Sequence, residues 1–264
     1  MTQQHSSKKN PAWAAAALAL ALLQGCAAGP QANPADPLEP FNRGVYRFNE
    51  GLDRAVLKPV ATAYRDVTPQ PVRTGVTNFF ENLGDVWSFV NNLLQGRPAE
   101  AGDSLFRFTT NTLWGVGGLF DVASGLNIPK HKEDFGQTLG AWGLNAGPYV
   151  VLPVFGPSSV RDTAGLAVDM QGSLVSQADN VPVRNSLSGL RVVDTRANLL
   201  EAGNLLDQAA LDKYAFVRDA YLQRRQSQIR GDAQGSGRSE PEERFDLPEP
   251  GPAGAPAASP APAQ

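Results

Sequence analysis

The sequence predicts an all-α protein whose body is a single helical domain, and three observations predict it. Large apolar residues recur at steps of three and four in successive segments between Phe41 and Tyr221, the spacing of one helix face. Breakers fall between those segments, at Pro59, Gly96-Arg97-Pro98, Gly115-Val116-Gly117-Gly118 and Gly203. Pro/Ala/Gly-rich flanks at 27–35 and from 231 onward delimit the body as residues 36–230.

Residues 1–25 read as an export signal. Lys8 and Lys9 form a positive start with no acid nearby, and Ala12 to Leu23 form an apolar run. Twelve residues are too few for a spanning helix, which needs about 20. The run ends Leu23-Gln24-Gly25-Cys26, which looks like a bacterial lipobox, with Cys26 as the residue to be acylated. Three acyl chains, at about 0.8 kcal/mol per buried methylene, would make a permanent anchor. Ala27 resembles an outer-membrane address, since aspartate there favours retention in the inner membrane. Residues 26–35 then form a lipidated tether, and the ten steps from Cys26 to Asp36 span at most about 35 Å.

Phe41, Val45, Phe48, Leu52 and Val56 mark an amphipathic helix over Asp36–Leu57. Pro40 suits its start and Pro59 its end, and core packing is the usual use of such a stripe. Val72–Leu94 shows the same period and closes at Gly96. Ala99–Leu113 is the third helix, and Gly115 to Gly118 reads as a hinge. Asp121–Asp134 is turn-rich and polar, with His131 in a solvated loop.

Asp134–Asp162 is the most unusual stretch, apolar and without charge between Asp134 and Arg161, with glycines at 136, 140, 143, 147 and 156 and prolines at 148, 153 and 157. A regular helix there is disfavoured, because interior proline costs about 3 kcal/mol and glycine about 1. Its backbone must be buried in protein or line a wet cavity. It reads as a buried connector or as a glycine-hinged loop guarding a path for something apolar.

Pro157–Met170 is a short helix with Val160, Ala164, Ala167 and Val168 inward; Ser186–Leu200 follows, then one long helix from Asn204 to about Ile229. Arg224, Arg225 and Arg230 complement its C-terminal dipole or meet lipid headgroups. The tail, residues 231–264, is rich in Pro, Ala, Gly and Glu and is expected to be disordered.

Composition excludes much chemistry. The net charge is −3 with no basic stripe, so no nucleic-acid partner is expected. One cysteine and two histidines, His5 and His131, cannot build a Cys/His zinc site. No GxSxG, P-loop, HExxH or CxxC pattern occurs, so neither an enzyme nor a cofactor is expected.

With these landmarks in place, the chain resembles the MlaA (VacJ) family of outer-membrane lipoproteins. The resemblance rests on the lipobox at Cys26, DPLEPFNRGVYRFNEGLD at 36–53, KPVATAYRDVTPQPVRTGVTNFFENL at 58–83 and NTLWGVGGLFDVAS at 111–124. It continues with FGQTLGAWGLNAGPYVVLPVFGPSSVRD at 135–162 and VRDAYLQRR at 217–225. Pro40 stands where the family often has glycine, and the acidic tail lies outside the pattern.

The resemblance implies a ring-like helical body sunk in the inner leaflet of the outer membrane. A central channel would carry phospholipids mislocalised in the outer leaflet toward a periplasmic carrier, MlaC, and a trimeric porin would hold the protein in place. It also implies a channel or hinged loop of Gly140, Trp142, Gly143, Gly147, Pro148 and Tyr149, and a first-helix motif of Asp36, Pro37, Phe41, Asn42 and Arg43. A non-catalytic envelope scaffold is the alternative.

Overall fold

The structure, a computed structural model, describes Asn33 and residues 36–233. The expected export signal, Cys26, most of the tether and the tail from residue 234 lie outside the described residues. The chain runs α1 (Glu39–Leu52), a π-helical turn (Asp53–Leu57), α2 (Lys58–Val67), α3 (Gln70–Leu94), α4 (Pro98–Leu113) and the short α5 (Val122–Gly125). It continues through α6 (Phe135–Ala141), β1 (Tyr149–Leu152), β2 (Gly156–Ser159), α7 (Val160–Gly172), α8 (Val181–Asn198), α9 (Leu200–Ala209) and α10 (Lys213–Ala233). The protein is thus predominantly helical, as its periodicity predicts.

Three expectations are corrected. Pro59 does not end the first helix, because the wide turn at 53–57 hands the chain on. The Lys58 N–H reaches back to the Asp53 carbonyl, and Pro59 falls in the first turn of α2, where its missing N–H costs little. The stretch 134–162 is not irregular throughout. Asp134 opens α6 with a capping box to Gln137, and the β-branched Val150 and Val151 lie in a two-stranded antiparallel ladder pairing Tyr149 with Ser159 and Leu152 with Gly156. The last helix is two helices that break at Ala210–Asp212, and the second continues to Ala233.

α3 and α4 form an antiparallel hairpin around Gly96, whose φ of +74° only glycine adopts freely. Asn92 faces Ser104 at one end of this pair, and Asn82 bonds Thr112 at 2.9 Å at the other. α8 packs on α2 through Ala61, Ala197 and Leu200. There Asp194 accepts hydrogen bonds from Tyr64 and Thr77. α6 and α7 touch backbone to backbone, since a Cβ on Gly165 would lie 2.6 Å from the Gly136 nitrogen.

The interior is polar and the exterior apolar. Among the described residues the buried set holds ten apolar and twenty polar or charged side chains. On α1 the buried residue is Asn42, while Phe41 and Phe48 of the predicted core stripe are 55% and 59% exposed. On α4, Ser104, Arg107 and Asn111 point inward, and Phe106 and Leu113 are each 67% exposed. α7 likewise buries Arg161, Asp162 and Gly165 and exposes Val160. Much of the stripes expected to form the core faces out, although Val45 packs on the Tyr149 cluster and Phe80 is buried, and exposed apolar surface on this scale marks an interaction surface.

Candidate functional site

The candidate site is the loop 142–148 with the hairpin after it, and a ladder of asparagines on α1 fixes its position. Asn42 and Asn49 are seven residues apart, two turns or about 10.5 Å along the helix. Each grips β1 twice. The Asn42 amide donates to the Tyr149 carbonyl at 3.0 Å and accepts from the Val151 N–H at 2.9 Å. Asn49 donates to the Leu152 carbonyl at 2.9 Å and accepts from the Val154 N–H at 2.8 Å. The two grips are three strand residues apart, about 10 Å, so helix and strand are in register. Asn42 also donates to Asp36 at 2.8 Å, which ties the chain before α1 to the same point.

α10 supports the hairpin from beneath with Tyr214, Arg218, Tyr221 and Arg225 along one face. Tyr214 donates to the Asp36 carboxylate, and Arg218 pairs with it at 3.4 Å. Tyr221 donates to Asp162 at 2.5 Å, and Arg225 bridges Asp162 at 3.0 Å and Asp134 at 2.7 Å. Burial alone would raise the Asp162 carboxyl, but hydrogen bonds from Arg225, Tyr221 and Arg161 outweigh it and hold it well below the usual range. Burial, with the hydrogen bond to Asp162, pushes the Tyr221 phenol up. These groups are locked in place and offer no free base.

The loop hangs between those supports. Trp142 caps α6 and donates its indole N–H to the Leu94 carbonyl at 3.0 Å. Arg161 takes the Leu144 carbonyl at 3.3 Å and, through its backbone N–H, the Ala146 carbonyl at 3.1 Å. Gly143 and Gly147 adopt φ of +89° and +68°, conformations costly for any residue with a Cβ. Trp142, Gly143, Leu144 and Pro148 are exposed.

The residues expected from the sequence therefore divide. Asp36, Asn42 and Tyr149 meet in one buried junction, with Arg43 beside it, 4.4 Å over the Tyr214 ring and paired with Asp212 at 2.7 Å. Pro37 lies in the turn before α1, and Phe41 faces outward. Gly140 lies within α6 rather than in the loop, and a Cβ there would sit 2.7 Å from Ile229. Its smallness serves packing. Arg225 turns inward, while Arg224 and Arg230 are exposed. The reading of the sequence missed Asn49 and the Asp134–Arg225–Asp162 cluster. The sevenfold spacing of two asparagines on an otherwise apolar-striped helix was the available signal for the first.

Beside this junction, α1, α2, α8, α9 and α10 enclose an open pocket of about 260 Å³ lined by Tyr46, Glu50, Lys58, Leu206, Asp207 and Lys213, among others. Among the described residues no group of three or more His, Cys, Asp or Glu is placed to hold a metal. No described helix is long and apolar enough to cross a membrane.

Comparison with known proteins places the chain. Residues 34–228 match the family model described as MlaA lipoprotein. The Escherichia coli K12 protein named intermembrane phospholipid transport system lipoprotein MlaA is 41% identical over 216 residues, covering 80% of this chain and 85% of that protein. Its Haemophilus influenzae namesake is 36% identical over 198 residues, 74% and 79% of the two chains. A solved chain from work on the structural basis for maintenance of bacterial outer membrane lipid asymmetry superposes with a TM-score of 0.65. It is 38% identical, and the match covers 74% of this chain and 98% of that one.

Proposed function

The chain belongs to the MlaA lipoprotein family, and on that premise we propose that it is an outer-membrane lipoprotein, anchored through Cys26, that moves phospholipids. It takes lipids mislocalised in the outer leaflet through a channel in a ring-like body and passes them to the periplasmic carrier MlaC, with a trimeric porin holding it in the membrane. The observation that carries this reading is the inversion of polarity. A helical body with Asn42, Asn91 and Arg107 inside and Phe48, Phe106 and Trp114 outside suits acyl chains around it. The loop 142–148, with glycines in left-handed conformations and firm supports at both ends, suits a gate. No chemical step is needed.

The test is outer-leaflet phospholipid in a deletion strain complemented with wild type, Cys26→Ala or Gly143→Pro. Wild type clears surface phospholipid, and both variants fail at normal protein levels. Clearance by Gly143→Pro removes the gate, because proline holds φ near −65° where the loop needs +89°. Unchanged asymmetry in the deletion strain removes transport altogether and leaves an envelope scaffold.

A further inference from the structure

The open pocket beside α1 has an uneven charge pattern. Asp53 is fully engaged, holding Arg196 through two hydrogen bonds of 2.6 and 2.8 Å. Lys58 and Lys213, by contrast, share the Asp207 carboxylate. Lys213 Nζ lies 2.6 Å from Asp207 Oδ1, and Lys58 Nζ lies 3.4 Å from Asp207 Oδ2. Glu50 stands on the other side of Lys213, at 3.5 Å, and accepts from Arg54 at 3.0 Å. Tyr46 and Leu206 supply apolar wall.

The carboxylate that bridges the two lysines is weakly held. α9, which carries Asp207, is short and exposes Leu205 at 66%, and the corner after it exposes Leu211 fully. Leu200 anchors its start, and the ion pairs of Asp207 secure its far end. Exposed ion pairs of this kind contribute little, typically well under about 1 kcal/mol each.

We propose that Lys58 and Lys213 bind the phosphodiester of a glycerophospholipid, with Asp207 filling the site until the lipid displaces it. A phosphodiester offers what the Asp207 carboxylate offers, one negative charge over two equivalent oxygens, so each lysine keeps a partner when the exchange occurs. The glycerol backbone lies against Tyr46 and Leu206. Displacing Asp207 frees the far end of α9, so binding opens the pocket along the α9–α10 corner. This inference rests on the transport reading and assigns a binding site to the headgroup of its substrate.

The experiment titrates full-length acylated protein in non-ionic detergent with dihexanoyl phosphatidylethanolamine, and follows binding by calorimetry. Dihexanoylglycerol and inorganic phosphate are the control ligands. Asp207→Asn, which removes the internal competitor, tightens Kd about threefold. Lys58→Gln and Lys213→Gln each weaken it about tenfold, the loss of one charge-assisted hydrogen bond. Lys58→Arg restores binding. The opposite signs of the aspartate and lysine variants are the signature, and a general loss of folding cannot produce them. The proposal is overturned if Asp207→Asn weakens binding or leaves it unchanged, or if dihexanoylglycerol binds equally well. Inorganic phosphate binding as tightly as the lipid overturns the headgroup assignment in favour of a free-phosphate site. Surface phospholipid is measured in parallel. Normal clearance by the Lys58→Gln/Lys213→Gln double variant overturns this site and leaves transport standing. An unaltered deletion strain removes transport itself.

Discussion

Asn42→Ala should be among the most destabilising single changes in the protein. The Asn42 side chain is 0% exposed and makes three hydrogen bonds, to Asp36 Oδ1 at 2.8 Å, the Tyr149 carbonyl at 3.0 Å and the Val151 N–H at 2.9 Å. Alanine leaves two backbone groups and one carboxylate oxygen buried without these partners. Each orphaned group costs about 1–3 kcal/mol, so the total is at least about 2 kcal/mol even if one oxygen finds another donor. A domain of this size shifts its Tm by about 2–4 °C per kcal/mol, which gives a drop of at least about 4 °C in thermal unfolding of the detergent-solubilised protein. Hydrogen exchange supplies the local readout, with the Val151 amide losing protection while amides in the α3–α4 hairpin keep theirs. Asn42→Asp should be as damaging, since its carboxylate cannot donate to Tyr149 and faces Asp36. Asn49→Ala, on the more exposed rung, should cost less, about 1–2 kcal/mol. A Tm change under about 2 °C for Asn42→Ala, or unchanged exchange at Val151, would refute the argument that α1 holds the hairpin through this side chain.

Other consequences follow from the same geometry. Gly165→Ala puts a Cβ 2.6 Å from the Gly136 nitrogen and 2.7 Å from its Cα, so α6 must move off α7, and chemical denaturation should show a loss of about 3 kcal/mol or more. Gly143→Ala meets open space and only left-handed strain, about 1 kcal/mol, so a larger loss there would mean the loop packs more tightly than its exposure indicates. Asp85 is 3% exposed and lies 3.7 Å from an Arg107 already forked onto Asp121 at 2.9 and 3.0 Å. Burial outweighs Lys130 and Arg107 and pushes its carboxyl up to about 6. A raised carboxyl contributes stability below about pH 4 and loses it as pH rises through about 6. Asp85→Asn should therefore gain on wild type between pH 4 and 7 by on the order of 3 kcal/mol, measured as unfolding free energy against pH; parallel profiles would sink this. Phe106→Ser and Trp114→Ser, at 67% and 68% exposure, should each weaken vesicle association of Cys26→Ala protein about tenfold, since each withdraws roughly 1–2 kcal/mol of burial. Unchanged co-sedimentation would show that this face does not meet lipid.

The sequence alone determined that the protein is helical, where α3 and α4 begin and end, and which family it resembles. Those properties are local: a 3.6-residue period in Val72–Leu94, glycine after Leu94, and short motifs in order along the chain. Periodicity also located the apolar stripe of α1, but it could not say which way the stripe faces, because an amphipathic helix has the same pattern whether its surroundings are core or lipid. Only the tertiary structure decided that, by placing Asn42 at 0% exposure and Phe48 at 59%. It likewise decided that Tyr149 to Ser159 form a hairpin, since the partners that satisfy that glycine- and proline-rich backbone, Asn42 and Asn49, lie about a hundred residues earlier in the chain. Arg225 shows the same division. Its position near a helix end predicted a dipole role, but two aspartates brought together from residues 134 and 162 turn it inward, because an ion pair's energy depends on distances that no sequence spacing encodes.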